Sequence, residues 1–186
     1  MTPQKQQLEQ HLEDRDLVSI YRTGIDDSQI QGFVLAVSSE LVLIQYVYDF
    51  RLDGLMALRT EDITQVELTA THSLQKKLIF EEGLGQQVPF GFEFDVRSWR
   101  TLIAQLTLRH ALMIVECEAG EINEFLIGRV VQTEGDSLQI EHFTGAGNWA
   151  GSPSLVSYRD ITCCQVGNNY ANVYQRHFER LASALH

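Results

Sequence analysis

The spacing of hydrophobic residues along the chain changes from helical to strand-like near residue 17. Residues 3–16 place Leu8 and Leu12 four positions apart in Gln- and Glu-rich sequence, with Pro3 in the first turn, which predicts a helix. Short hydrophobic runs bounded by Gly, Asp and Ser then follow, which is typical of strands joined by tight turns. The strands predicted in this first block are 17–21, 30–37, 41–50, 55–59 and 63–68.

A second block has the same order of elements. Its predicted strands are 111–118, 125–132, 137–143, 155–158 and 161–166, with a turn at 119–121 and a Gly-rich loop at 144–152. Further helices are predicted at 73–80, 96–110 and 171–185, and Asp95 is a candidate cap for the second of them. Residues 82–95 contain three glycines and Pro89 and are predicted as a linker, although the alternation of Val88, Phe90, Phe92 and Phe94 could add an edge strand.

The two blocks are copies of each other. Residues 17–20, 32–35 and 62–64 have counterparts at 112–115, 128–131 and 160–162, at offsets of 95, 96 and 98 residues. The last pair is the run Asp62-Ile63-Thr64 and its repetition Asp160-Ile161-Thr162. Repeats of this length predict duplicated structural units. We therefore expect a first helix-plus-strand unit at 1–81, a linker at 82–95 and a second unit at 96–186.

The pattern predicts a mainly β protein with flanking helices, made of two tandem five-stranded barrels of the Sm-like or SH3-like type. Closing five short strands into a barrel removes exposed sheet edges, and Gly32 and Gly128 lie inside second strands, where glycine commonly marks a bend or bulge. The order of a helix, a glycine-containing second strand, a long third strand and short fourth and fifth strands resembles the Sm-like family. Asp53-Gly54 followed by Asp62-Ile63-Thr64 is similar to bacterial proteins with the same ending.

The chain departs from that family at the positions to which the resemblance would assign RNA binding. RNA-binding Sm-like proteins carry an Asn in the stretch after the second strand and an Arg-Gly or Lys-Gly turn between the fourth and fifth strands. Residues 38–43 and 133–138 lack the Asn, and the turns at 59–62 and 157–160 lack the Arg-Gly pair. The resemblance therefore implies the fold without a visible RNA site.

Composition and charge limit the classes of partner that are expected. The chain has 186 residues, 44% hydrophobic and 21% charged, with a net charge of −11. Residues 1–95 hold 7 Lys and Arg against 16 Asp and Glu, and an acidic surface repels phosphate backbones, so nucleic acid is not expected as a partner. No apolar run approaches a membrane span and no secretory signal is visible, and Cys117, Cys163 and Cys164 make an odd count. We expect a cytoplasmic protein with reduced thiols.

Four aromatic residues are the candidate binding residues. Tyr46, Tyr48 and Phe50 alternate along the long third strand and are expected on one face, where they could stack bases, grip a peptide or belong to the core. Trp149 lies in a Gly-rich loop, where it could anchor an interface or fold back over the barrel mouth.

Catalytic, metal and cofactor sites are not predicted. The sequence has no Gly-x-Ser-x-Gly elbow, no phosphate-binding glycine motif and no Cys-x-x-Cys spacing, and His142, Cys117 and the Cys163–Cys164 pair are not brought together by any pattern. Asp62 and Asp160 each precede Thr and are expected to cap turns. The protein is therefore expected to be a non-enzyme without cofactor.

The expected function is binding of another protein through these barrels. One alternative is a divergent Sm-like RNA binder that assembles into a homo-oligomeric ring through its fourth and fifth strands. A second alternative is an immunity or inhibitor protein whose acidic first half complements a basic partner.

Overall fold

The computed structural model describes residues 2–118 and 123–184, which form a mainly β structure with four α-helices. The helices are α1 (Pro3–Asp14), α2 (Ala70–Glu81), α3 (Trp99–Thr107) and α4 (Asn169–Ser183). The strands are β1 (Leu17–Arg22), β2 (Asp26–Val37), β3 (Leu41–Tyr48), β4 (Arg51–Arg59), β5 (Gln65–Glu67), β6 (Met113–Cys117), β7 (Glu124–Glu134), β8 (Ser137–His142), β9 (Ser154–Ser157) and β10 (Cys163–Val166). Among these residues, none of the helices has the length and apolar character needed to cross a membrane.

The two copies share their strand order. All ten strands belong to one antiparallel sheet in the order β5-β1-β2-β3-β4-β10-β6-β7-β8-β9. Within this sheet the strands of the first copy lie side by side in the order fifth, first, second, third and fourth. The strands of the second copy lie in the same order, with β10 as the fifth strand of that copy. The repetition seen in the sequence therefore extends to the pairing of strands that are distant along the chain.

The two separate closed barrels predicted from the sequence are not seen. Instead, β4 of the first copy pairs with β10 of the second, from Leu58 opposite Cys163 to Leu55 opposite Val166. This pairing joins the copies into a single open sheet, whose outer strands in the described part of the chain are β5 and β9. The physical reason is that edge strands need partners for their N–H and C=O groups, and pairing between copies satisfies them as well as closure does.

The second strand of each copy is distorted at the same place. Gly32 lies opposite Tyr46 and Gly128 opposite His142, and the register of each strand shifts two to four residues further on. A Cβ atom built at Gly128 would lie 2.0 Å from the backbone oxygen of Glu141. Each glycine therefore permits a close approach of two backbones beside a bulge, which bends the strand.

The largest hydrophobic cluster contains residues from both copies. Leu43 and Ala57 of the first copy and Ile140 of the second lie in it and are fully buried, together with Ile103 of α3. A second cluster consists of first-copy residues, including Leu8 of α1, together with Cys163 of the second copy, and a third belongs to the second copy. The shared cluster is the reason that α3 lies against both copies.

Several predicted elements have different bounds. The third strand ends at Tyr48 because Asp49 and Phe50 adopt left-handed backbone angles, with φ of 49° and 61°. The fourth strand consequently begins at residue 51 instead of 55. The predicted cap of α3 was wrong: Ser98, and not Asp95, accepts the hydrogen bond from the backbone N–H of Thr101.

Residues 82–95 are packed against the rest of the molecule. They contain a short 3₁₀ turn at Gly85–Gln87, and the alternating hydrophobic residues do not form the additional strand. Val88 is 5% exposed and belongs to the shared core. The division into 1–81, 82–95 and 96–186 stays a prediction, and the predicted turn at 119–121 and the last residue of the 171–185 helix lie outside the described residues.

Candidate functional site

The three aromatic residues of the predicted third strand have different surroundings. Tyr46 is half-buried against the core of the first copy, and this burial raises the pKa of its hydroxyl. Tyr48 is 58% exposed at the end of β3, and Phe50 is 43% exposed in the turn that follows. Tyr48 and Phe50 thus present aromatic surface to solvent, while Tyr46 contributes mainly to packing.

Tyr48 borders a groove between the β3–β4 hairpin and α4, with a volume of about 630 Å³. The opposite wall consists of Tyr170, Val173 and Tyr174, which follow one face of α4. Tyr170 is 48% exposed and Val173 is 49% exposed. We call the surface formed by Tyr48, Tyr170, Val173 and Tyr174 the tyrosine groove. One wall comes from each copy, so the sequence of either copy alone could not reveal it.

One hydrogen bond between the copies joins the two walls of the groove, and two more within the second copy hold the α4 wall in place. The Asp53 carboxylate accepts a hydrogen bond of 2.6 Å from the backbone N–H of Asn169, the first residue of α4. The Asn168 side chain caps the same helix by accepting from the N–H of Ala171. On the far side, the Tyr174 hydroxyl donates to the backbone oxygen of Gly145 at 2.9 Å. The groove is therefore preorganised, which lowers the entropic cost of binding.

Trp149 lies in a separate aromatic cluster of the second copy. It is half-buried, its ring centroid is 5.1 Å from Phe143 and 4.9 Å from Phe178 on α4, and the Arg129 guanidinium lies 4.4 Å above its ring. The loop therefore folds back onto the second copy. The structure does not bring Trp149 together with Tyr48 in the tyrosine groove.

Ser19 and His72 form a buried pair that resembles part of a nucleophilic site. The Ser19 Oγ is 2.6 Å from His72 Nε2, and the backbone N–H of Thr69 donates to His72 Nδ1 at 2.9 Å. Because Nδ1 accepts, the ring proton lies on Nε2 and is donated to Ser19. A general base would have to accept the serine proton, so this pair is not an activated nucleophile. Burial lowers the pKa of His72, with Glu67 opposing the shift.

A second cleft, of about 530 Å³, gathers equivalent turns of both copies. Arg59 and Arg159 come from the fourth-to-fifth-strand turns and Arg100 from the start of α3. Arg59 is paired with Asp62 at 2.6 Å, whereas Arg100 and Arg159 form no ion pair within the part of the chain that the structure describes. We call this site, together with Tyr158, the arginine cleft.

Tyr158 is an unusual member of the arginine cleft. Its hydroxyl is buried and has no hydrogen-bond partner among residues 2–118 and 123–184. Burial raises the pKa of this hydroxyl, and the nearby Arg100 opposes the shift. The sequences of the two equivalent turns do not reveal this cleft, because Arg100 belongs to a helix outside both turns.

The cysteines are placed for packing. Cys117, Cys163 and Cys164 are free and buried, and burial raises the pKa of Cys117 to about 11 and those of the other two well above their usual value. Metal coordination uses the thiolate form, which these surroundings disfavour. The residues that the structure describes hold no group of three or more His, Cys, Asp or Glu side chains that could bind a metal.

Comparisons with protein-family models, curated proteins and solved structures find no match for this chain. The resemblance to the Sm-like family accordingly stays a prediction from the sequence pattern. A fold by itself does not specify a function. The function has to be inferred from the groove and the clefts.

Proposed function

We propose that this chain is a non-enzymatic module that binds another protein through the tyrosine groove. The observation that carries this proposal is the exposure of Tyr48, Tyr170 and Val173 next to one another on two anchored walls. Tyrosine is enriched in binding interfaces because its rigid ring offers a large contact area and its hydroxyl offers a hydrogen bond. The three buried free thiols fit a reducing compartment such as the cytoplasm.

The shape of the groove favours a short segment of the partner over a broad flat surface. Its volume of about 630 Å³ accommodates a few side chains. Arg51 lies at the hairpin wall, and the Asp53 carboxylate is occupied by the N-terminus of α4. The groove thus favours an apolar or aromatic segment with an acidic neighbour that can reach Arg51.

A photo-cross-linking amino acid at position 48, introduced into the protein in its source cells, tests this proposal. We expect a discrete cross-linked partner that disappears when Val173→Asp places a charge in the groove, since burying an unpaired carboxylate is costly. Leu74→Asp is the matched control, because Leu74 is 57% exposed on α2, away from the groove. Cross-links that persist in Val173→Asp, or that Leu74→Asp removes equally, would contradict the proposal.

A second candidate function is the RNA-binding ring, which one structural observation favours. β4 of the first copy pairs with β10, the fifth strand of the second copy, and the equivalent strands β9 and β5 are left at the two ends of the sheet. Leu155 of β9 is 70% exposed, whereas Ala57, its counterpart in β4, is fully buried and lies opposite Cys164 of β10 in the sheet. Pairing β9 of one chain with β5 of another would repeat the internal junction.

In this second candidate, Arg100 and Arg159 of the arginine cleft would contact the phosphates. Size-exclusion chromatography with light scattering, read at 260 and 280 nm, tests it. A ring predicts an oligomer that Leu155→Asp dissociates, and RNA affinity that falls steeply with salt and is weakened in Arg100→Gln. A nucleic-acid-free monomer that binds no RNA at low salt would eliminate this candidate. The acidic inhibitor function stays a prediction and would require a basic partner.

A further inference from the structure

A third cavity lies apart from the tyrosine groove and the arginine cleft, between α3, residues 82–95 and the β3–β4 hairpin. Its volume is about 320 Å³. Apolar side chains from three parts of the chain line it, namely Leu55 of β4, Phe92 and Phe94 of the 82–95 segment, and Leu106 of α3. The two phenylalanine rings lie 4.5 Å apart between centroids. This volume and lining suit one small ring system or a short aliphatic chain.

The ionisable groups that line this cavity are Arg109 and His110, which follow the C-terminus of α3. The Arg109 guanidinium lies 4.0 Å above the Phe92 ring and, among the described residues, forms no ion pair or side-chain hydrogen bond. Both nitrogens of the His110 ring are likewise without a hydrogen-bond partner in that part of the chain. In a protein of net charge −11, this cavity thus combines a free cation with an apolar lining.

The stacking of Arg109 on Phe92 leaves its donors available. A guanidinium above an aromatic face contacts it through its flat side, while its five N–H groups point outward in the plane. Such a fork matches a carboxylate, which it binds with two parallel hydrogen bonds. On the inner side, the buried Gln45 amide donates its N–H to the backbone oxygen of Gly54 at 2.8 Å, which keeps this wall of the cavity fixed.

We propose that this cavity binds a small carboxylic acid with an aromatic or aliphatic body. The carboxylate would pair with Arg109, beside the His110 ring, and the apolar body would lie among Phe92, Phe94 and Leu106. This site is independent of the proposed protein-binding function, because its lining shares only Gly167 with that of the tyrosine groove.

Calorimetric titration of the full chain with indole-3-acetate tests this inference. Indole-3-acetamide serves as the neutral probe of the same shape. We expect indole-3-acetate to bind with a dissociation constant below about 1 mM, and indole-3-acetamide or the Arg109→Gln variant to weaken binding about tenfold or more, since hydrogen bonds between charged groups contribute that much. Arg176→Gln, which makes the same charge change at an exposed position of α4, should leave the affinity within about twofold.

Proton–nitrogen NMR spectra during the same titration locate the bound acid. The inference predicts the largest amide shifts at Gly54, Leu106 and His110. It is overturned if no heat or shift develops up to about 5 mM acid, if the amide binds as tightly as the acid, or if Arg109→Gln binds like the unsubstituted chain. Arg109 is exposed, so Arg109→Gln should fold as the unsubstituted chain does, and the same spectra verify this.

Discussion

His72 is 4% exposed, and both of its ring nitrogens are within hydrogen-bond distance of a partner, Ser19 on one side and Thr69 on the other. The histidine also occupies the third position of α2 and caps its first turn. Both ring nitrogens are therefore used in hydrogen bonds, and the one to Ser19 joins α2 to β1. In the fold, His72 is a structural link between the two elements.

We expect the free energy of unfolding to fall with acidity through His72. Its pKa is lowered in the folded state, so its contribution is complete above the unfolded pKa of about 6.5 and is lost as pH falls through the lower folded value. His72→Leu should lower stability at pH 7.5 by about 1–3 kcal/mol, because Ser19 and the Thr69 N–H lose a partner. It should also flatten the pH dependence. Urea unfolding at pH 7.5 and 5.5 measures both effects. This role is contradicted if the free energy of unfolding of His72→Leu falls between the two pH values as much as that of the unsubstituted chain.

Gly128→Ala should destabilise the protein by about 2 kcal/mol or more, because its Cβ would lie 2.0 Å from a backbone oxygen of β8 and the strands would have to separate. Gly91→Ala is the control, since its Cβ would meet nothing within 4 Å, and it should change stability by about 0.5 kcal/mol at most. Thermal unfolding of both variants distinguishes the two sites. Equal melting temperatures would mean that β7 and β8 tolerate a larger separation than the structure indicates.

At the scale of elements, α4 is positioned by the other copy. Its first backbone N–H donates to Asp53 of the β3–β4 hairpin, and the neighbouring Gly54 has no room for a Cβ atom against the backbone between Val166 and Asn168. The Asp53-Gly54 pair was predicted to lie between the strands at 41–50 and 55–59, yet both residues lie inside β4. The pair thus fixes the helix that forms one wall of the tyrosine groove.

Asp53→Ala should lower the free energy of unfolding by about 1 kcal/mol, which is the usual contribution of a cap to the N-terminus of a helix. Asp160→Ala removes the same charge at an exposed position whose carboxylate forms no hydrogen bond or ion pair in the described part of the chain, and it should have a smaller effect. Chemical denaturation measures the stability of both variants. If the photo-cross-link at position 48 is also weakened in Asp53→Ala alone, the placement of α4 contributes to partner binding. Equal stability of the two variants would show that the cap is not needed.

At the scale of the whole molecule, the copies are joined by backbone pairing, a shared core and a buried ion pair. Arg22 of β1 is 2% exposed and binds Glu118, which follows β6, at 2.8 Å. Cys163 and Cys164 lie on β10 between strands of the two copies. Separating the copies would expose all of these groups, so we expect the described part of the chain to unfold as one unit.

The buried thiols report on this cooperativity. In the native protein at pH 8, a disulfide reagent should label Cys117, Cys163 and Cys164 more than about 100-fold more slowly than an exposed cysteine introduced as Ser152→Cys, since reaction requires opening of the structure and formation of a thiolate. In urea, labelling of all three should follow the loss of circular dichroism. Labelling of Cys163 and Cys164 while the dichroism is retained would show that the junction opens separately.

The alternation of hydrophobic residues and the repeated segments were enough to predict ten strands, four helices and the duplication. They were enough because periodicity and turn residues act over a few neighbouring positions. The candidate site was predicted only in part. Tyr48 lies in the tyrosine groove, but Val173 was interpreted only as a helix residue, and Tyr170 and Arg100 were not singled out. Their neighbours in the fold are about 40 to 120 positions away in the chain.

The sequence by itself therefore determined the number and order of the strands and helices, the repeated segments, the acidic charge and the glycines that allow close backbone approach. The tertiary structure decided that β4 pairs with β10, so that one open sheet replaces two barrels, and it decided which aromatic and basic residues share a groove. The reason is that local patterns bias backbone angles and burial, whereas the choice of a strand's partner depends on competition among edges that are equally able to form hydrogen bonds.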